Sequence, residues 1–558
     1  MPLTKLKKSL KKLLKIIKKN WPEAILVVFA FCFSWWLMWH TFGYKDGQML
    51  IAAKVWSDFA ANIPLIRSFS WGGNWPPQDP LFAGEPIHYH FLFYLIVGIL
   101  ERLGLPLDFA LNLPSFLSFF GLVLVIYFLA KLIFKSRFVA FLGVYFFLFN
   151  SSLSFLEFFR QHPFSLNTLS EIINNRSFPS FGPYDGKIVS AFWSLNIYTN
   201  QRHLALAYFL ILFLCFLFLK SEIKGQQFTL KRALLAGFII GIFPIIHSVG
   251  YGMLMVIFSV FFLIFSRQRR PLFVTLSIAF LIGFPQVFLI KVGGQGNFRF
   301  NPGYLIAGRL NIKNFLHYWF YNLGLSLFFI PLGFWKSKKL AKKVFLAFIP
   351  LFFIPNLFQF SREMAANHKF LNLFIIVGNM FSAYLIFLIW RKNVLGKILA
   401  TIFIFFLVFS GIVDFFPIKN DSYVVIPDAP KDPRVDWIKN NTPPKSTFLN
   451  SSYLYHPASL AGRLIFLGWP YFPWAGGLDS DKRTRIMRNI YENRNPQEIC
   501  RLLKENKIDY FTVESVLNDP NLPKIESWFF KEEFEPVYID LKENFYIFET
   551  ESACRRYL

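Results

Sequence analysis

The residues best suited to chemistry lie between two apolar runs near the start of the chain. They fall in the polar stretch 41–87 or directly after it, and they are Asp46, Asp58, Asp79, Glu85, His88 and His90. A carboxylate can orient an acceptor hydroxyl or accept its proton. A cation can stabilise charge that develops on a phosphate leaving group. Acids and imidazoles gathered at one membrane face therefore favour a group-transfer reaction.

Each of these acids also has a structural interpretation. Asp46 can cap the helix that follows it, and Asp79 can hold the turn around Pro76 and Pro77. A lone acid in a loop is more often solvated than reactive, so no single position is decisive. The stretch as a whole favours function.

A second set of ionisable residues lies at the ends of later apolar runs and is predicted at the same membrane face. The set comprises Arg202, His203, His247 and Lys369. Ionisable groups at membrane depth are costly and commonly mark functional sites. Long side chains at the ends of spans can also reach water at little cost, and both interpretations stay open for Arg202 and Lys369. No compact ligand spacing occurs, so the sequence predicts no metal ligands, although a divalent metal is possible.

The composition requires these residues to be positioned by membrane-spanning helices. Of 558 residues, 54% are hydrophobic and 16% charged, whereas soluble domains have about 25% charged residues. A span needs about 20 apolar residues. We therefore predict a polytopic α-helical membrane protein of about 11–13 spans, near residues 23–40, 88–103, 113–134, 138–157, 203–219, 232–247, 251–265, 272–290, 315–334, 344–358, 370–390 and 398–416.

The positive charges predict the orientation of this membrane domain, 21–416. The net charge of +26 does not indicate nucleic-acid binding, because the basic residues form short clusters between apolar runs, which is the positive-inside pattern. Residues 1–20 are rich in lysine without any acid, and they predict a basic interfacial amphipathic helix on the inner leaflet. The protein is thus expected in the cell membrane with its N-terminus cytoplasmic and the loops 41–87 and 160–202 outside. Four crossings before residue 158 would place 160–202 inside instead, so either one early segment is a half-span or re-entrant, or the hydropathy pattern misses a crossing.

Residues 417–558 differ in character from the preceding spans. Charges become more frequent, and helix signals at 482–491 and 496–507 alternate with strand signals at 510–514, 537–541 and 545–548. This pattern predicts a soluble extracytoplasmic α/β domain. Cys500 and Cys554 either form a disulfide there, in an oxidising compartment, or remain free thiols.

Several motifs spread across the chain resemble one group of proteins. They are SDFAANIPLIRSFSWGGNWPPQDPLFAGEPIHYHF (57–91), TNQRHLALA (199–207), PIIHSVGYGM (244–253), ANHKFLNL (366–373), LGWPYFPWAGG (467–477) and RTRIMRNIY (483–491). Together with the spans, the long first outer loop and the C-terminal domain, they resemble the GT-C superfamily of membrane glycosyltransferases. The local similarity is closest to the YYY-type prokaryotic multi-pass membrane proteins.

This resemblance implies transfer of a sugar from a polyprenyl-phosphate-linked donor to an acceptor at the outer membrane face, with inversion. The essential acid of such families corresponds by position to Asp58, with Asp46 as the second choice. The acidic pair of some branches is absent, since Gly47 follows Asp46 and Phe59 follows Asp58. The expected substrate-binding residues are Asp79, Glu85, His88, His90, Arg202, His203, His247, Lys369, Trp469 and Trp474. Of these, Arg202, Lys369 and His247 are expected to hold the departing phosphate.

Other interpretations stay open beside this one. Trp469 and Trp474 either stack on sugar faces or seat the outer domain on lipid headgroups. A transporter or flippase of lipid-linked glycans would need polar residues at the centre of its spans, which are nearly bare here. A non-catalytic envelope scaffold would leave Asp58 facing water. No inverted repeat is apparent, which disfavours a carrier.

Overall fold

The computed structural model of the chain describes residues 20–180, 190–291, 298–514 and 521–557. The predicted interfacial helix at 1–20 lies outside these ranges except for Asn20. Among the described residues, eight helices are long and apolar enough to cross a membrane, and one pair of helices bent by 88° raises this number to nine. The eight are Trp21–Thr41, Leu107–Phe134, Arg202–Ile223, Phe243–Ile264, Ser266–Ile290, Lys339–Leu357, Met364–Trp390 and Val394–Lys419, and the bent pair is Ile312–Leu323 with Ser326–Lys336.

The predicted class, a polytopic helical membrane protein with a C-terminal α/β region, is confirmed, and fewer helices among the described residues are long and apolar enough to cross a membrane than the roughly 11–13 spans expected. Three expected spans are helices of only 11 or 12 residues: Leu92–Arg102, Arg137–Leu148 and Leu230–Gly241. A helix of this length is shorter than the hydrocarbon core of a bilayer. The helix in the expected span 138–157 ends early because Asn150 belongs to a buried polar network, in which its amide donates to Asp414 at 2.9 Å.

The remaining helices connect the spans or lie in the C-terminal region. Among the described residues they are Trp56–Ser70, Ser154–Gln161, Thr168–Ile173, Ser190–Trp193, Asn196–Asn200, Pro433–Asn441, Pro457–Leu460, Tyr471–Ala475, Ser480–Tyr491, Pro496–Glu505, Ser527–Glu533 and Thr550–Ala553. The helices expected at 482–491 and 496–507 are thereby confirmed.

The C-terminal region is built on a five-stranded mixed sheet. Its strands are β6 (Thr447–Leu449), β7 (Leu464–Ile465), β8 (Tyr510–Glu514), β9 (Tyr538–Asp540) and β10 (Phe545–Glu549), in the spatial order β7-β6-β8-β10-β9. β6 runs parallel to β7 and β8, and β10 runs antiparallel to β8 and β9. The three strands expected here from the sequence are confirmed. Cys500 and Cys554 form a disulfide, which decides between the two alternatives.

A second sheet joins the first outer loop to the segment that follows the last span. The hairpin β1 (Phe42–Lys45) and β2 (Gln48–Ala52) pairs through β2 with β5 (Tyr423–Pro427), all antiparallel. Apolar side chains continue this contact into one core, in which Phe59 and Ile63 of the loop helix share neighbours with Phe448 and Phe545 of the C-terminal region. The first outer loop and the C-terminal region therefore form one structural unit. A further two-stranded pairing joins β3 (Arg299–Phe300) to β4 (Phe358–Gln359).

A buried ion cluster holds the same junction together. Arg67 contacts the carboxylates of both Glu101, at 3.1 Å, and Asp428. The guanidinium also lies 3.5 Å from the centre of the Trp71 ring. Arg67 and Asp428 are almost completely buried. Each charge therefore depends on its partners, because an unpaired charge at such a position is expensive.

We expect Arg67→Met to lower the free energy of unfolding by about 3–5 kcal/mol, because it removes the only cation that forms ion pairs with these two buried carboxylates among the described residues. Thermal unfolding of the purified protein in detergent measures this loss. Arg501→Met is the matched control: Arg501 pairs with Glu498 and Glu505 at the exposed surface, so its loss is expected to cost less than about 1 kcal/mol. Equal melting temperatures for the two variants would contradict the assigned role of Arg67.

Candidate active site at the outer-loop end of the helices

Asp58 lies in the first turn of the helix Trp56–Ser70. The negative charge suits this position, because the amino end of a helix carries a partial positive charge. The hairpin β1–β2 and the short 3-10 turn Ala53–Val55 lead directly into this helix. The Tyr455 hydroxyl of the C-terminal region donates to the carbonyl of Trp56 at 2.6 Å. The position of Asp58 is thus fixed from both sides of the junction.

The environment of Asp58 changes its acidity. The residue is half-buried by exposed area, but its carboxyl group is enclosed by protein, and this desolvation raises its pKa from 3.8 to about 6. The Lys369 ammonium acts in the opposite direction and lowers the pKa. The carboxylate also lies near enough to raise the pKa of the Tyr89 and Tyr94 hydroxyls, in addition to the larger effect of their burial. Asp58 is therefore a stronger base than an ordinary aspartate.

Three histidines from separate parts of the chain meet in the interior. His90 lies just before the helix Leu92–Arg102, His203 in the first turn of Arg202–Ile223, and His247 within Phe243–Ile264. One ring nitrogen of each lies within 4.8 Å of those of the other two. The ring centres are 4.3 Å apart for His90 and His203, 4.6 Å for His90 and His247, and 5.5 Å for His203 and His247. All three are at least 99% buried.

A kink brings His247 into this group. The sequence predicted two spans, 232–247 and 251–265, and the structure has a break between them: Phe243–Ile264 consists of two helical parts joined across a kink at His247, where the backbone angles are φ −167° and ψ 100°. The N–H of Gly250 donates to His247 Nδ1 at 2.9 Å and so caps the second half of the helix. The break lies at the end of the first of these two predicted spans.

The hydrogen bonds of the three imidazoles are incomplete. His203 Nδ1 is 2.9 Å from the Tyr94 hydroxyl, and its Nε2 is 3.3 Å from the Tyr89 hydroxyl. Within the described ranges, neither nitrogen of His90 has a hydrogen-bond partner, and the same holds for His247 Nε2. Burial holds the pKa of His90 well below its ordinary value, and its histidine neighbours and Lys369 lower it further. His90 is therefore neutral at physiological pH.

Lys369 connects the histidines with Asp58. It lies in the first turn of the helix His368–Trp390 and is 8% exposed. Its backbone carbonyl accepts a hydrogen bond from Tyr208 at 2.6 Å, which fixes the start of this helix. Its charge acts on both Asp58 and His90. A carboxylate, an ammonium group and three imidazoles are thus assembled at one end of the helices.

Arg202 lies next to the site but binds the protein itself. Its guanidinium donates to the carbonyls of Thr199 and Met38, to the sulfur of Met38, to Asn112 Oδ1 and to Thr41 Oγ1. These contacts link the helices Trp21–Thr41 and Leu107–Phe134 to the start of Arg202–Ile223. They use all five N–H donors, so the geometry favours a supporting role over phosphate binding.

The other acids of the first outer loop occupy turns. Asp46 is exposed and, with Gly47, forms the β1–β2 turn, where both residues have positive φ, of 51° and 70°. Asp79 Oδ1 accepts the N–H of Leu81 at 2.9 Å, and its backbone N–H donates to the Glu85 carbonyl at 2.9 Å. The turn-holding role considered for Asp79 therefore accounts for its contacts. For Asp46 the sequence suggested a helix cap, whereas the structure places the residue in a hairpin turn.

The C-terminal region covers this end of the helices. His88 Nδ1 contacts the Gly476 carbonyl at 3.3 Å, and Trp469 packs on Phe472. Trp474 lies 5.7 Å from the guanidinium of Arg362, which belongs to the loop before the helix His368–Trp390. Trp474 thus lies beside this loop, which is compatible with a sugar platform as well as with a headgroup anchor.

Residues that the sequence did not single out complete the site. Tyr89 stacks on His90 with ring centres 3.7 Å apart, and Tyr94 lies four residues after His90, about one helical turn on. Tyr455 adopts a positive φ of 53° and approaches from the C-terminal region. The alternation of Tyr and His in 88–94 was the available signal for the first two, and no sequence signal indicates Tyr455.

Comparisons with known proteins agree with this architecture. Residues 12–177 match the family described as "Uncharacterized membrane protein (DUF2298)", which is less than half of the chain. This part includes Asp58 and His90 but neither His203 nor Lys369. No protein with curated annotation matches the chain in sequence.

Solved structures of archaeal oligosaccharyltransferase share the fold. The apo enzyme of Archaeoglobus fulgidus superposes with a TM-score of 0.52 at 12% identity, covering 88% of this chain and 69% of the enzyme. AglB from the same organism, in complex with an inhibitory peptide and a dolichol-phosphate, gives 0.50 at 13% identity, covering 89% and 70%. The chain therefore has the GT-C fold that its motifs led us to expect, and identity this low shows the fold alone.

Proposed function

We propose that this protein is a GT-C-type glycosyltransferase that transfers a sugar from a polyprenyl-phosphate-linked donor to an acceptor at the outer face of the membrane. The observation that carries the proposal is the buried carboxyl of Asp58 beside Lys369 and the three histidines. A raised carboxyl pKa in such a setting marks a candidate acid or base. The GT-C fold, and a related structure that holds a dolichol-phosphate, support a lipid-linked donor.

The reaction uses Asp58 as its base. Asp58 accepts the proton of the acceptor hydroxyl while the oxygen attacks the anomeric carbon of the donor. The bond from that carbon to the phosphate oxygen breaks on the opposite face, so the configuration inverts and polyprenyl phosphate leaves with the electron pair. Lys369 stabilises the negative charge that develops on this phosphate. Asp58 then returns its proton to water.

Charge and redox chemistry support the proposed orientation. Basic clusters such as Lys336 to Lys343 lie at the end of the spans opposite to the site in the topology that the positive-inside pattern predicts. The disulfide Cys500–Cys554 suits an oxidising compartment, which supports a C-terminal region outside the cytoplasm. The donor would then enter sideways from the outer leaflet.

Transfer of radiolabelled sugar tests the proposal. Purified protein in lipid vesicles is incubated with a panel of polyprenyl-phosphate-linked sugars and with membrane glycans or peptides as acceptors. The expected result is labelled acceptor together with free polyprenyl phosphate. If the wild type moves lipid-linked sugar across the bilayer without making product, the transporter hypothesis replaces the enzyme. If the wild type binds envelope glycans but neither transfers sugar nor moves it across the bilayer, the scaffold hypothesis replaces the enzyme.

We expect transfer to fall as the pH decreases through about 6, because Asp58 must be ionised to act as a base and its pKa is raised to about 6. An ordinary aspartate would stay ionised down to about pH 4. The charged and titratable groups near Asp58 are Lys369, Tyr89, Tyr94 and Tyr455. Measuring kcat/KM between pH 5 and pH 8 with a phosphodiester donor, which does not titrate there, checks this. A flat profile would exclude Asp58 as the base.

A further inference from the structure

We propose that His90, His203 and His247 together bind one transition-metal cation. The assignment rests on the three buried imidazoles themselves and is independent of the proposed transfer reaction. Only the use of the cation in catalysis rests on the proposed function.

The unpaired ring nitrogens are the first argument. Buried polar atoms are normally hydrogen-bonded, yet both nitrogens of His90 and Nε2 of His247 have no hydrogen-bond partner among the described residues. One nitrogen from each of the three rings lies within 4.8 Å of the others. A single cation between the rings would bind one nitrogen of His90 together with Nε2 of His247, and would so satisfy two of these three atoms.

The donor set selects the class of metal. Imidazole nitrogens suit zinc, copper, iron and nickel, whereas magnesium and calcium prefer oxygen ligands. Three histidines that leave one position open are the ligand set of catalytic zinc sites such as that of carbonic anhydrase. None of the three residues carries a carboxylate. The geometry therefore favours Zn²⁺ or a similar cation over Mg²⁺.

A hydrogen bond to Tyr94 fixes the orientation of the His203 ring. When its Nδ1–H donates to the Tyr94 oxygen at 2.9 Å, the lone pair of Nε2 is free for the metal. Metal-bound histidines commonly use their second nitrogen in this way. The Tyr89 hydroxyl, 3.3 Å from Nε2, makes a long contact that the metal would replace.

His247 must rearrange to bind the cation. Its Nδ1 accepts the N–H of Gly250, so its Nε2 carries the ring hydrogen when no metal is bound. Binding through Nε2 moves this proton to Nδ1 and breaks the bond to Gly250. The helix is already interrupted at His247, so the change is confined to one capping bond.

Lys369 limits the affinity of this site for a lone cation. Its positive charge acts on His90 and repels a second positive charge, whereas the carboxylate of Asp58 lies near Lys369 and compensates in part. A phosphate group satisfies both Lys369 and the open position of the metal. If the proposed function holds, the cation therefore helps to bind the donor phosphate, and polyprenyl phosphate should raise the metal affinity.

Metal analysis of the full-length protein in detergent, with any affinity tag removed, tests the site. After chelator treatment and dialysis against Zn²⁺, we expect one zinc per chain and X-ray absorption that shows three imidazole nitrogens at about 2.0–2.1 Å. His90→Ala and His203→Ala should each lower the zinc affinity more than about 100-fold, because loss of a residue that only hydrogen-bonds to a metal ligand already lowers metal affinity about 10–100-fold. His317→Ala is the matched control, because His317 is exposed and outside the cluster.

The outcomes separate the metal site from the transfer reaction. Zinc bound with three nitrogens in both wild type and Asp58→Asn supports the site even if no sugar is transferred. No bound zinc in the wild type, oxygen-only coordination, or binding that survives the loss of all three histidines overturns it. If the alanine variants fail to fold, the absorption spectrum of the wild type still decides the question. Tight binding of inorganic phosphate without any metal would instead identify the cluster as an anion site.

Discussion

We expect the Asp58→Asn variant to transfer sugar about 10²- to 10⁴-fold more slowly than the wild type. Asn has nearly the same shape as Asp but cannot accept the proton of the acceptor hydroxyl. The variant should fold at least as well. Because burial raises the pKa of Asp58 from 3.8 to about 6, the ionised carboxylate destabilises the folded state by up to about 3 kcal/mol above pH 6, and this cost falls progressively as the pH decreases from about 6 to about 4.

Initial rates of transfer and melting temperatures are measured on the same preparations. Asp481→Asn, at an exposed position in the first turn of Ser480–Tyr491, is the matched control and should leave both quantities unchanged. A slow Asp58→Asn with an unchanged or higher melting temperature cannot be explained by misfolding. Full activity in Asp58→Asn combined with a loss in Asp46→Asn would move the catalytic role to the hairpin.

We expect Lys369→Met to lower kcat about 10²- to 10³-fold, because a preorganised positive charge stabilises the charge that develops on the leaving phosphate. The effect should be smaller on KM than on kcat, since the phosphate gains charge only as the bond breaks. The pH profile supplies a second signature. Lys369 lowers the pKa of Asp58, so its removal should move the midpoint above about 6.

Two further variants serve as controls for Lys369→Met. Lys369→Arg keeps the charge and should recover part of the rate, and Lys445→Met removes an exposed lysine that donates to the Trp75 carbonyl. If Lys369→Met changes KM alone and leaves the pH midpoint in place, Lys369 binds donor without stabilising the transition state. An equal loss in Lys369→Arg and Lys369→Met would indicate that shape rather than charge matters at this position.

The sequence predicted the membrane class and most helices because apolar runs of about 20 residues have few alternatives. It also predicted the elements of the C-terminal region, where the alternation of helix and strand signals is clear. It failed at Arg137–Leu148, where a buried polar network around Asn150 ends the helix. Hydropathy averages over such local networks, so it does not show where this helix ends.

The site was predicted as separate residues and not as an arrangement. His90, His203 and His247 were each candidates, but their spacing in the chain contains no hint that they meet. Their contact depends on the packing of three helices and on the kink at His247. Arg202 shows the converse case, since a basic residue at the end of a span suggested a ligand site, while in the structure its donors hold neighbouring helices together.

The pairing of β2 with β5 affects how the protein matures during synthesis. The loop that carries Asp58 leaves the ribosome early, but Tyr423–Pro427, which completes its sheet, is made only after all the spans. Asp428, the partner of Arg67, arrives with it. The growing chain therefore inserts its spans before the sheet that holds the Asp58 loop is complete, and Asp428 must also be made before this junction can form. Ribosome stalling before residue 423 would leave the sheet without its third strand.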